Sequence, residues 1–274
     1  MNYKLETSLS PELEKYRAKI EATIKPYIEI TIENNNSVNW WQSKFGGLPY
    51  LPKEFEYPKT PNDKYLFLLA QINFAEVPYL EGFPNQGILQ FYIGDDELYG
   101  EEFYDSINLD NPIVEARFRS LYFPQPDLNI ENIIDNYNFL PKPEYFPVDG
   151  CCSLQFAKRY APISMSDDRF TKILGEDFKN LLRKDNKLYD EYLKISLSYH
   201  HKIGGYPDFL QCAVRNFADP EYDQDPDILL FQMVGDDNDV IYIDWALGGI
   251  AHFFILQSEL KILDFSNVFY EWQR

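Results

Sequence analysis

The sequence predicts an α+β fold in which two similar strand-rich motifs lie in tandem, share a core and carry flanking helices. Three observations predict it. Strand-like runs rich in Tyr, Phe, Ile and Val recur along most of the chain, a composition that suits a pleated, half-buried surface. Helical spacing is confined to the N-terminus and to residues 167–196, so strands and helices are segregated rather than alternating as in a parallel sheet. Three sequence blocks, finally, occur twice in the same order.

Ser10 is placed to cap a helix with Pro11 at its first position, and Leu13, Tyr16, Ile20 and Ile24 follow at three- and four-residue spacing. One amphipathic N-terminal helix is expected. From Tyr27 to Glu33 the period becomes two, with Ile28, Ile30 and Ile32 on one face and Glu29, Thr31 and Glu33 on the other, the pattern of a half-buried strand. Further strands are expected at 65–72, 87–93, 114–122, 153–160, 228–234, 240–245 and 250–256. Between 167 and 196, positions such as Phe170, Leu174, Phe178, Leu182 and Tyr192 suit helices instead.

The repeated blocks define the organisation. SKFGGLPYLP (43–52), FLLAQIN (67–73) and QGILQFYI (86–93) are matched by HKIGGYPDFL (201–210), ILLFQMV (228–234) and GGIAHFFI (248–255). Gly47 precedes Gln71 by 24 residues and Gly205 precedes Gln232 by 27, while Gln71 to Gly87 is 16 and Gln232 to Gly249 is 17. Order and spacing together indicate an internal duplication. The expected organisation is one domain over 1–274, with pseudo-repeat halves at about 37–122 and 195–265. A middle segment joins them, first Pro-rich (Pro124, Pro126, Pro141, Pro143 and Pro147) and then helical.

A chain of 274 residues buries roughly 75% of the surface its unfolded form exposes, so its core needs neither disulfides nor metal. With 45% hydrophobic and 17% aromatic residues it lies outside the composition of disordered chains. Lys plus Arg number 25 against 44 Asp plus Glu, a net charge of -19; this field repels phosphate backbones and anionic membranes and favours basic partners. Nucleic acid and membranes are therefore not expected partners. The first twenty residues lack the apolar stretch of a signal peptide, and no run reaches the roughly 18 apolar residues of a membrane span. The three cysteines have neither metal-ligand nor CxxC spacing, and a reduced cytoplasm is the expected location.

The constellations that could carry chemistry are sparse. His200, His201 and His252 could in principle hold zinc, but no HExxH or HxH occurs, and hydrogen-bonded structural imidazoles are the other reading. The run from Tyr222 to Asp227 imitates a calcium loop, yet the Gly and Glu positions are occupied by Ile228 and Val234. Gly235 to Asp239 has hairpin-turn composition. Cys151, Cys152 and Cys212 lack a local base, and GxSxG, GxGxxG and GxxxxGK are absent. No catalytic, metal-binding or cofactor-binding residue is assigned, and no cofactor is expected. Gln71 and Gln232 stand out because each interrupts an apolar strand at the same place in its half. A buried amide must find partners, so each either pins its strand to a neighbouring loop or faces a groove between the halves.

The Gly-Gly turns, the LLAQIN block and the C-terminal run ILLFQMVGDD, IDWALGGIAHFFI and LKILDFS resemble the YwqG-like family, a bacterial domain of unknown function. The resemblance spans roughly Trp40 to Phe265 and implies an α+β fold of two similar motifs, with no established reaction. Members of that family commonly carry Trp, Gly, Asp and a small residue before the last Gly-apolar strand. Here the run is Trp245, Ala246, Leu247, Gly248 and Gly249, so a role resting on that carboxylate does not transfer.

The expected function is that of a cytoplasmic, monomeric or weakly dimeric binding protein for a basic protein or peptide, for example an immunity-type partner of a toxin. The alternative is a hydrolase or transferase with its site between the repeats. Trp40, Trp41, Tyr50, Gln71, His201, Tyr206, Gln232 and Trp245 are the candidates for a groove between the halves; an aromatic core is the other reading of the rings. A shallow aromatic patch ringed by carboxylates would mark the binder, and clustered His and acids in a deep pocket the enzyme.

Overall fold

The computed structural model describes residues 3–33, 38–101, 117–196, 199–211 and 228–274. Its N-terminal stripe packs as the spacing predicts, with Leu13 and Ile20 fully buried, but the helix is broken into α1 (Pro11–Glu14) and α2 (Arg17–Glu21). Tyr16 leaves the helical ladder at φ -104°, ψ -2°. Its ring packs on Phe178 at 4.6 Å, so a tertiary contact overrides the local period. The expected Ser10 side-chain cap is not made; the Ser10 N–H instead donates to Glu191 Oε1 at 2.6 Å.

Twelve strands form one antiparallel sheet. They are β1 (Lys25–Glu33), β2 (Lys44–Gly46), β3 (Leu66–Asn73), β4 (Ile88–Gly94), β5 (Phe118–Phe123), β6 (Val148–Ala161), β7 (His201–Gly204), β8 (Ile228–Val234), β9 (Asp236–Asp237), β10 (Ile241–Ile243), β11 (Ile250–Ile255) and β12 (Phe269–Gln273). The helices α3 (Phe170–Leu174), α4 (Glu176–Lys184) and α5 (Asn186–Ser196) fill the stretch where helical spacing was read, and α6 (Gln257–Ile262) precedes β12. The fold is α+β. Residues 114–116 of the strand expected at 114–122 lie outside the described residues, as do Cys212 and the run from Tyr222 to Asp227.

The order β12-β11-β8-β7-β1-β6-β2-β3-β4-β5 sets β1 against β6 at the centre, in register from Lys25 opposite Ala161 to Glu33 opposite Ser153. On the β6 side a first arm runs β2, β3, β4, β5; on the β1 side a second runs β7, β8, β11, β12. Each arm carries a bulge in its second strand, the unpaired residue being Leu69 in β3 and Leu230 in β8. The extra residue bends and twists the strand. The sheet curls until its arms meet across one apolar core, where Phe91 of β4 packs against Phe231 at 4.9 Å and Phe253 at 4.6 Å. Phe118 of β5 meets Tyr270 of β12 at 5.4 Å. A second apolar cluster joins α1 and α2 to α3, α4 and α5, and a third lies on the other face of β3 and β4 around Tyr57, Leu68, Tyr92 and Tyr137. Among the described residues no helix is long and apolar enough to cross a membrane.

The expected hairpin forms, β9 pairing with β10 through a turn at 238–240, in which Asn238 Oδ1 accepts the N–H groups of Val240 and Ile241. Just beyond it, Ala246, Leu247 and Gly248 have φ of 49°, 74° and 97°. Asp244 Oδ1 holds that left-handed run by accepting the Leu247 N–H at 2.7 Å. For L residues this region is strained, and Gly adopts it freely. The Leu247 side chain is 95% exposed, so it contributes no packing in return. Leu247→Gly is accordingly expected to stabilise the chain by about 1 kcal/mol in urea unfolding. A loss of stability would show that the exposed leucine makes a contact on the fold.

Candidate functional site

Two Gly-Gly turns close the first strand of each arm, and both need left-handed backbone: φ is 62° and 72° at Gly46 and Gly47, 72° and 74° at Gly204 and Gly205. After each turn the chain runs on as a loop whose backbone must be satisfied inside the fold. A glutamine of the next strand does this. Gln71 Oε1 accepts the Tyr50 N–H at 2.8 Å, while its Nε2 donates to Trp40 O and Gln42 O, each at 2.8 Å. Gln232 Oε1 accepts the Asp208 N–H at 3.0 Å, and its Nε2 donates to His200 O at 3.0 Å. The third strand adds a second donor: Gln90 Nε2 to Tyr50 O at 2.6 Å in the first arm, and His252 Nε2 facing Asp208 O at 3.1 Å in the second.

The arms differ in charge. Lys202 of β7 is buried and ion-paired to Asp208. Burial works to raise the Asp208 pKa, but Lys202 together with hydrogen bonds from Gln232 and Ser164 brings it below the usual carboxylate value. Lys44 of β2 pairs with Gln71 as Lys202 pairs with Gln232, but Tyr50 stands where the second arm has Asp208. The Lys44 ammonium donates to two carbonyls, Asn39 O at 3.2 Å and Leu48 O at 3.0 Å. Burial pushes its pKa down to about 8.

A groove opens beside the first turn. It has a volume of about 850 Å³ where Gly47, Leu48, Tyr57, Phe67, Tyr137 and Phe146 line it. It continues past Phe67 and Pro141 into a second depression of about 560 Å³ bordered by Lys64, Asp95, Asp96 and Arg117. The walls are residues 57–65 and 135–147, held by packed rings: Tyr57 lies 6.0 Å from Tyr137 and 5.5 Å from Phe139, and Phe67 lies 5.9 Å from Phe146. The Tyr137 hydroxyl donates to Pro49 O at 2.9 Å, and Asp95 Oδ1 accepts the N–H groups of Glu144 and Tyr145. Asp135 and Asp149 border the wider part, with Lys142 between the same walls. Phe139 and Tyr145, in the same 135–147 wall segment, are 44% and 43% exposed.

The eight residues singled out from the sequence form two clusters and one outlier. Trp40, Trp41, Tyr50 and Gln71 meet around the first turn. There the Trp41 indole donates to Asp127 O at 2.7 Å and the Tyr50 hydroxyl accepts the Asp127 N–H at 2.8 Å, tying the Pro-rich stretch to the arm. Trp40 and Trp41 are half-buried and Tyr50 is buried. His201, Tyr206 and Gln232 surround the second turn, all buried. His201 Nδ1 accepts the Val234 N–H at 3.3 Å, its Nε2 lies 3.6 Å from Asp236 Oδ2, and burial lowers its pKa. The Tyr206 hydroxyl donates to Thr23 O at 2.7 Å. Trp245 lies elsewhere, buried against Tyr99 at 5.6 Å.

The sequence reading missed Lys44, Gln90, Asp208 and the groove rings Tyr57, Phe67, Tyr137 and Phe146. The lysine pair was visible, since SKFGG and HKIGG both carry Lys two positions before the glycines. The three histidines have separate surroundings, and among the described residues no three His, Cys, Asp or Glu side chains are grouped to hold a metal ion. His252 Nδ1 lies 3.2 Å from Glu271 Oε1, both fully buried. Nearby, burial and then the Glu271 charge push Glu101 up to about 8.

Fold and site together define a curled antiparallel-sheet protein with paired Gly-Gly turns and an aromatic groove at one of them. Residues 43–273 match the family described as a domain of unknown function (DUF1963), and the chain belongs to that family. No curated protein matches it.

The low pKa of Lys44 has a pH signature. Below pH 8 the amine is charged in both states and its burial cost stands in full. Between about 8 and 10.5 the unfolded chain binds more protons, so stability rises with pH, by on the order of 3 kcal/mol in total. Lys44→Met lacks this gain, so wild type should improve relative to the variant in melting temperature from pH 7 to pH 10. A difference that stays constant over that window would show the amine to be hydrated.

Proposed function

We propose that this chain is a binding protein whose recognition surface is the groove beside Gly46 and Gly47, and that its partner is a basic protein or peptide. The groove itself carries the reading. It is open, with Leu48, Leu140, Pro141, Pro143 and Phe146 over the buried rings of Tyr57, Phe67 and Tyr137, and is bordered by Asp135 and Asp149, in a molecule of net charge -19. Apolar surface in a concave site can anchor a partner, and complementary charge speeds encounter.

The polar clusters support the same reading from the other side. Lys202, Gln232, His252 and Glu271 are at most 1% exposed, so a substrate has no access to them. The space between the arms is filled by Phe91, Phe231 and Phe253, which disfavours a hydrolase or transferase site there. We further read the two arms as tandem repeats of one motif. This is supported by the matching Gly-Gly turns, bulges and glutamine bonds. In this reading the chain is a YwqG-like protein that works in the cytoplasm as an accessory or immunity-type partner.

The test is fluorescence anisotropy with a labelled Arg-rich peptide and its Glu-rich counterpart. Binding of the basic peptide should weaken as salt rises and fall at least tenfold in Asp135→Lys/Asp149→Lys. The double variant Asp177→Lys/Asp190→Lys, with the same change in net charge on α4 and α5, should lose less. Equal binding of the acidic peptide, or equal losses in the two double variants, would overturn the reading.

A further inference from the structure

We propose that Leu247 is a rigid apolar anchor for a folded, basic protein, entering a pocket on that partner while Asp149, Asp237 and Asp239 beside it meet the partner's Lys and Arg side chains; the basic character of the partner rests on the binding reading above.

The turn between β10 and β11 gives up stability to hold this side chain in water. Among the described residues Leu247 is the most exposed of the large apolar side chains, at 95%. It shares the left-handed region with Ala246, a conformation that is strained for an L residue and free for Gly. Such strain persists only where the surroundings over-determine the backbone, and here they do. Asp244 Oδ1 accepts the N–H groups of Leu247 at 2.7 Å and Gly248 at 3.4 Å. The Gly249 N–H donates to Trp245 O at 2.9 Å, and the Tyr199 hydroxyl donates to Gly248 O at 3.1 Å. Trp245, at the foot of the turn, is fully buried, and the Asp244 N–H before it donates to Pro147 O at 2.8 Å. The leucine therefore stands on a backbone fixed at both ends. A partner that receives it has little ordering left to impose.

The neighbours decide what receives it. Tyr242 of β10 lies opposite Asp149 of β6 and Asp237 of β9, and residues directly opposite across strands share a face. Tyr242 is 48% exposed, and both acids are exposed. The Asp244 charge raises the Tyr242 pKa, so this face and the Leu247 turn adjoin through Asp244. Asp239 is exposed in the hairpin turn. The Arg274 charge reaches Tyr99 nearby, one cation against four carboxylates. A second copy of the chain, with the same charge of -19, and an anionic membrane are both repelled by such a face, whereas a basic surface is attracted. Desolvating a leucine requires a concave apolar site, which a folded protein offers and a short flexible peptide does not. Because Asp149 also borders the groove, one partner can reach both.

The experiment places the photo-reactive residue p-benzoylphenylalanine, in the full chain and in the cells that make it, in place of Leu247, of Leu48 in the groove, or of Tyr189 on α5 as a control, all three being exposed. The protein cross-linked from the Leu247 position and not from the Tyr189 position is identified by mass spectrometry, purified and titrated with the full chain by calorimetry. It should carry a net positive charge. Leu247→Gly should bind it at least tenfold more weakly while melting no lower than wild type, and Leu247→Asn should lose a similar factor. Weaker binding by a variant that is at least as stable separates an anchor from a structural residue. Asp237→Lys/Asp239→Lys should weaken binding several-fold and flatten its salt dependence. Capture of a second copy of this chain, capture of a neutral or acidic protein, or unchanged binding in Leu247→Gly would overturn the proposal. If the Leu48 position captures a basic protein and the Leu247 position captures nothing, the anchor fails while the groove reading stands; if neither position captures one, both fail.

Discussion

A buried glutamine amide pins the turn that opens each arm of the sheet. A Gly-Gly turn frees the chain from β2 or β7 and sends it through the interior as a loop, whose N–H and C=O groups would each cost about 1–3 kcal/mol if left unpaired. Gln71 and Gln232 are the side chains that meet them, each accepting one N–H beyond its turn and donating to carbonyls before it. One residue thus fixes both ends of its turn. It does so from a strand, because the bulge at Leu69 or Leu230 places apolar residues of the same strand in the core while the amide faces the other way.

With the turns pinned, the two arms can carry different surfaces. In the first, Trp41 and Tyr50 hold the Pro-rich stretch against the turn, and Tyr137 brings residues 135–147 over β3, which builds the groove. In the second, Asp208 neutralises Lys202 and Phe209 packs on His252 at 5.1 Å. The substitution of Tyr50 for an acid is part of this contrast. It leaves Lys44 held by the carbonyls of Asn39 and Leu48 and by the Trp40 ring at 6.0 Å, at the edge of the groove through Leu48.

Much of the fold was legible because its devices are local. The period of β1, the helical spacing of α3 to α5 and the paired block order all follow from residue alternation and turn chemistry. The break at Tyr16 was not legible, since only the approach of Phe178 from α4 makes it favourable. The pinning role of Gln71 and Gln232 could be read from their polarity in apolar strands. The groove could not: Tyr57, Phe67, Tyr137 and Phe146 come from segments far apart in sequence, and an aromatic residue reads alike whether it fills a core or lines a surface.

The most direct measurement is amide hydrogen exchange at Tyr50 and Asp208 in wild type, Gln71→Leu and Gln232→Leu. Each substitution leaves the backbone groups of its own turn unpaired, so exchange at Tyr50 should accelerate at least tenfold in Gln71→Leu, and at Asp208 in Gln232→Leu, each exceeding the change at the other turn. Unchanged protection at both amides, or acceleration confined to one variant, would contradict the claim that a buried glutamine organises each arm.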